Sequence, residues 1–64
     1  MLDYQKRVVE EKKELDEKID KLIHFIELGS FEKIDADEQS RLRVQGRIMQ
    51  AYSACLRERI AHFK

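Results

Sequence analysis

The 64 residues allow one domain with little core, and Cys55 is the only cysteine, which excludes an internal disulfide and suits a reducing compartment. Acidic and basic side chains number 13 each, so the formal charge is zero; bulk charge gives no pull toward a phosphate backbone, and no DNA partner is expected. Proline is absent, the only glycines are Gly29 and Gly46, and Glu, Lys, Arg, Leu and Ile dominate, which excludes a sheet closed by tight turns and points to long helices.

The first helix is expected from about residue 3 to 28, with Asp3 as its N-cap and Gly29 in the left-handed position just past its end. Tyr4, Val8, Leu15, Ile19, Leu22 and Ile26 recur at helical spacing and form one apolar face. The face has a gap where position 11 or 12 should be apolar and the chain has Glu11 and Lys12. A joint over 29–35 follows, with Ser30 capping a single turn and Phe31 and Ile34 tucked down to close the hairpin. Asp35-Ala36-Asp37-Glu38 reads as a capping box: Asp35 accepts from the Glu38 amide and the Glu38 side chain reaches back.

The second helix is expected over about 36–62. Leu42, Met49, Tyr52, Leu56 and Phe63 make one stripe; Val44, Ile48, Ala51, Cys55 and Ile60 make a second, adjacent one. One stripe suffices for packing against the first helix. The second predicts an interface between copies of the chain, with Gly46, Ala51 and Ala54 small enough to let another backbone approach. The short joint makes the helices antiparallel neighbours. The expected architecture is an all-α, two-helix hairpin domain over 1–64, assembling into a homo-oligomeric bundle, because a hairpin this small needs help to be stable.

Catalysis is not expected. Glu10, Glu11, Glu14 and Glu17 alternate with Lys12, Lys13, Lys18 and Lys21, the spacing of solvated i,i+4 pairs. Cys55 lies on an apolar stripe with no histidine near it in sequence, which reads as a small buried side chain. His24 and His62 stand on different helices, so no metal site is expected, and no phosphate-cradling glycine loop or cofactor motif exists. No apolar run approaches the ~20 residues of a membrane span, and the N-terminus has no apolar signal core, so no membrane association or export is expected. The informative group is Tyr4 with Gln5 and Arg7, where the core face is weak. A ring beside cations is a physical means of stacking a base and holding its phosphate. Copies of this end would converge with Lys18 and Lys21, or with Arg57 and Arg59, of a neighbour.

The segments Tyr4-Gln5-Lys6-Arg7-Val8-Val9-Glu10-Glu11-Lys12, Glu14-Leu15-Asp16-Glu17-Lys18-Ile19, Phe31-Glu32-Lys33-Ile34, Asp37-Glu38-Gln39-Ser40-Arg41-Leu42, Ile48-Met49-Gln50-Ala51-Tyr52-Ser53 and Leu56-Arg57-Glu58-Arg59-Ile60 together resemble the phage anti-CBASS sponges, which share a helical hairpin with anti-Thoeris sponges. The resemblance runs over essentially the whole chain. It implies a homo-oligomer, typically a hexamer, acting in the cytoplasm of the infected bacterial host. Such proteins bind cyclic oligonucleotide messengers, cyclic dinucleotides such as cyclic GMP-AMP and also trinucleotides, and sequester them intact in pockets between protomers. Tyr4 matches the stacking tyrosine, Lys18 or Lys21 the phosphate-binding lysine, and Arg59 the second pocket, with Gln5 as its polar neighbour. Arg57 and Gly46 depart from the family pattern, which expects a small residue and a bulkier one respectively. The competing readings are a hairpin dimer binding structured RNA through one basic face, and a module docking its wide apolar stripe on a host helix.

Overall fold

The computed structural model describes residues 1–64. Helix α1 spans Asp3–Glu27, a 3-10 turn spans Gly29–Lys33 and helix α2 spans Ala36–Ala61. The helices lie antiparallel as a rod of 47 × 14 × 13 Å, an all-α hairpin without strands. Neither helix is long and apolar enough to cross a membrane.

Helix α1 starts at Asp3, where it is expected, and ends one residue earlier, at Glu27. Leu2 is the N-cap and Asp3 the first helical residue. Leucine has no acceptor, so the capping is one-sided: the Leu2 amide donates to Gln5 Oε1 at 2.8 Å. The N-cap role given to Asp3 is therefore corrected, although its carboxylate still meets the positive helix end. The expectation for Gly29 is also corrected, because no residue has a positive φ. Leu28 is the extended C-cap, and Gly29 opens the 3-10 turn. Ser30 lies within that turn, whose N-cap Leu28 makes no side-chain bond. The Asp35 cap holds: its carboxylate accepts from the amides of Asp37 at 3.1 Å and Glu38 at 3.3 Å. The reciprocal half is missing, since the Glu38 carboxylate takes Arg41 at 2.8 Å instead. Gln39 adds a bond not foreseen, donating to the Ile34 carbonyl at 2.7 Å and tying the joint to α2.

The core is short. Val8, Ile19, Phe31 and Leu56 are its buried apolar side chains, with Leu15, Leu22, Ile26, Ile34, Leu42, Met49 and Ile60 half-buried around them. Phe31 closes the joint as expected. Its ring stands edge-on to Phe25, centroids 5.8 Å apart, with the Arg43 guanidinium 5.1 Å over its face.

Three expectations about α2 change. Val44, Ile48, Ala51 and Cys55 are exposed and lie on the side of α2 turned away from α1, so the second stripe is opposite the first and not adjacent to it. Ile60 belongs to the inner face, and Tyr52 is exposed on the flank. Cys55 is correspondingly not buried in the hairpin.

Gly46 is the third correction. It packs inside the hairpin, where a Cβ would meet Leu22 Cδ2 at 3.4 Å. That is ordinary contact, so Gly46→Ala should recover helix propensity of about 0.5–1 kcal/mol without a clash. Thermal unfolding followed by circular dichroism is expected to show a rise of several degrees. A fall would mean that Leu22 cannot yield.

Candidate functional site

At ~100° per residue around each helix, the hairpin has two flanks. Tyr4, Arg7, Lys18 and Lys21 lie along one flank of α1, and Tyr52 and Arg59 on the same side of α2, all exposed. Five of the seven sequence-predicted site residues therefore share one side. Arg57 does not: it lines the groove on the opposite flank with Lys12, Asp16, Gln50 and Ser53. Gln5 is buried, and its carbonyl already accepts from the Leu2 amide, so it serves first to start α1.

Tyr4 is held at the open end of the hairpin. Its ring stands edge-on to Phe63, centroids 5.8 Å apart at 76°, yet the residue stays 47% exposed. The contact orients the ring while about half of the residue stays open to solvent. Arg59, on the last turn of α2, belongs to this same end. Lys18 and Lys21 do not. At 1.5 Å per residue they stand about 21 and 25 Å along α1 from Tyr4. One chain cannot bring Tyr4 and either lysine to one small ligand.

The gap in the apolar face of α1 is filled by a polar cluster. Lys12 Nζ lies 2.6 Å from Asp16 Oδ2 and donates to Ser53 Oγ at 3.2 Å; Ser53 Oγ donates to Asp16 Oδ1 at 2.5 Å. The hydrogen bond from Lys12, and then that from Ser53, holds the Asp16 carboxyl below its ordinary range. Serine beside lysine suggests nucleophilic chemistry, but the geometry opposes it. The ammonium is tied up as an ion pair and the hydroxyl proton points at a carboxylate that is a weak base. The cluster pins the register of α1 on α2, and no buried side-chain polar atom is left without a partner. The sequence signal for it was the missing apolar residue at 11 or 12; its partner Ser53 had none.

The glutamate–lysine pairs expected along α1 are not at ion-pair distance; the pairs that form are Lys12–Asp16, Arg41–Glu38 and His62–Glu58. His24 is exposed, and no group of three or more His, Cys, Asp and Glu side chains is placed to hold a metal.

Comparison with known proteins agrees with the extent of the resemblance. The model of the Sequestin family matches residues 2–62. An uncharacterised 7.5 kDa protein of the denB–rIIB intergenic region of Enterobacteria phage T4 is 45% identical over 64 residues, the whole length of both chains. No solved structure matches.

Proposed function

The chain belongs to the Sequestin family, and from that premise we propose that it is a phage immune-evasion protein that binds cyclic oligonucleotide messengers of CBASS-type defence and sequesters them uncleaved. The family name points to a binding protein and not to an enzyme. The observation that carries the ligand reading is the flank that collects a half-open tyrosine ring, Tyr4, with Arg7, Lys18, Lys21 and Arg59. The ring stacks on a base and the cations take the phosphates. Because Tyr4 and the two lysines are too far apart within one chain, the pocket on this reading is built between protomers, each supplying a ring to one ligand and a lysine to a different part of the assembly. A cyclic dinucleotide is itself two-fold in outline and fits a pocket on a symmetry axis. The mechanism is mass action in the cytoplasm of the infected host, where bound messenger is withheld from its effector.

The surface supports self-association as part of this reading. Val44, Ile48, Ala51 and Cys55 form an uncovered apolar stripe down the back of α2, with Ile48 63% exposed. A homo-oligomer, a hexamer in the family pattern, would cover it.

Calorimetry with a panel of cyclic di- and trinucleotides tests the reading. At least one is expected to bind, and Tyr4→Ala to weaken it by about 10- to 100-fold, the worth of one stacked base. The helical content of the variant should be unchanged, since Tyr4 is 47% exposed and is not among the buried side chains of the core. Absence of binding to every member of the panel defeats the proposal.

A further inference from the structure

Tyr52 is the aromatic side chain that the hairpin does not use. The rings of Tyr4 and Phe63 pair edge to face, as do those of Phe25 and Phe31, and the Arg43 guanidinium covers Phe31. Tyr52 takes part in none of these contacts and is 45% exposed. Lys18 is likewise free, since the ion pairs of the chain are Lys12–Asp16, Arg41–Glu38 and His62–Glu58.

The register of the hairpin brings these two side chains together. Asp16 is bonded to Ser53, and Gly46 packs under Leu22, so in this antiparallel pair Tyr52 is level with residues 16 to 17 of α1. Lys18 is one to two residues further, about 1.5–3 Å along the rod. Lys21 is four to five residues away, about 6–7.5 Å, and at ~100° per residue it is turned about 60° further from α2 than Lys18. Lys18 and Tyr52 lie on the same flank of the hairpin, the one that carries Tyr4, and both are exposed. Packed helix axes stand about 8–10 Å apart. A ring and an ammonium therefore face outward from the two sides of one shallow strip, with half-buried Leu15 and Met49 close to their levels.

We infer that Tyr52 and Lys18 of one chain form the lysine end of the messenger pocket, the ring stacking on a base and the ammonium holding the phosphate of the same nucleotide. The inference rests on the ligand reading proposed above and deepens it. Tyr4 stands about 21 Å from Lys18 along α1, so it cannot supply the ring at this end within its own chain. A nucleotide joins an aromatic base to an anion a short distance away, and a ring and a cation set across one flank match that pairing. Lys18 rather than Lys21 is then the phosphate-binding lysine. Stacking tolerates any base, so this half-site takes adenine and guanine nucleotides alike.

Nuclear magnetic resonance of the full chain labelled only at tyrosine tests this directly. The sequence has two tyrosines, so the spectrum holds two sets of ring signals, which Tyr52→Phe assigns. The titrant is the cyclic di- or trinucleotide that calorimetry finds to bind most tightly. It is expected to shift the Tyr52 ring signals upfield and to give nuclear Overhauser contacts between its base protons and that ring. By calorimetry Tyr52→Ala is expected to weaken binding by about 10- to 100-fold, and Tyr52→Phe, which keeps the ring, to restore most of it. Lys18→Ala should weaken binding more than Lys21→Ala. The resonance contact is read on the wild-type chain, so it decides the matter even if Tyr52→Ala folds or assembles poorly. The inference is overturned if the Tyr52 signals stay in place at saturation while those of Tyr4 move, if Tyr52→Ala binds as wild type does, or if Lys21→Ala is the more damaging lysine variant. Each of these leaves the proposed function standing. A wild-type chain that binds no member of the panel overturns both.

Discussion

Phe31→Ala is expected to cost about 3–5 kcal/mol and to leave most of the chain unfolded at room temperature. Phe31 is 1% exposed, as is Leu56, and these are the two most deeply buried side chains of the hairpin. It also holds the joint in three directions: the Phe25 ring against its edge, the Arg43 guanidinium over its face, and its own backbone in the 3-10 turn, where its amide bonds the Leu28 carbonyl. A two-helix rod with four buried apolar residues has no second core layer to close over the resulting cavity, so relaxation will recover little. Phe25→Ala should cost clearly less, because Phe25 is partly exposed and contributes mainly its edge contact. Circular dichroism through a thermal or urea transition measures both. A Phe31→Ala protein melting within a few degrees of wild type would mean that the joint is not part of the cooperative unit.

Most of the fold was legible because a long amphipathic helix repeats its signal many times. The Val8–Ile19–Ile26 face, the Leu42–Leu56 face and the Asp35 cap each rest on a periodicity or a polar group with one obvious use. What misled was local and depended on a partner. Gly29 looks like a left-handed cap, but Leu28 turns the chain in an extended conformation and leaves the glycine free to begin a 3-10 turn. Gly46 looked like room for a neighbouring chain, yet Leu22 of the same chain fills it. The second α2 stripe is adjacent to the first only when Ile60 is counted in it; with Ile60 packed inward, the remaining residues point away from α1. The Lys12–Asp16–Ser53 cluster was visible only as an absence, since three polar residues from two helices announce nothing until the register brings them together. Among the candidate site residues, Tyr4, Arg7, Lys18 and Lys21 share a flank by helical spacing alone, while the separation of Arg57 from Arg59 depends on both helices being in place.

The largest effect on assembly is expected from Ile48→Asp. Ile48 is 63% exposed in the isolated hairpin, at the middle of the Val44–Cys55 stripe, so a carboxylate there costs a single chain almost nothing and even improves its solubility. The same carboxylate in an apolar contact between copies is desolvated without a partner, a penalty of several kcal/mol repeated in every copy. The variant should therefore be dissociated at concentrations where the wild type is fully assembled. Stability follows, because a partner that binds only the folded chain raises the melting temperature in proportion to the logarithm of its concentration. Wild type is expected to melt higher as protein concentration rises, and Ile48→Asp to melt lower and at one temperature throughout. Nucleotide binding should fall with the assembly although Ile48 touches no ligand, since a pocket needing Tyr4 and a lysine more than 20 Å away along α1 exists only where two chains meet. Light scattering, melting at two concentrations and calorimetry read the three consequences separately. An Ile48→Asp protein that keeps the wild-type mass shows that the back of α2 is not an interface; one that dissociates yet binds nucleotide undiminished shows that a single hairpin completes the site.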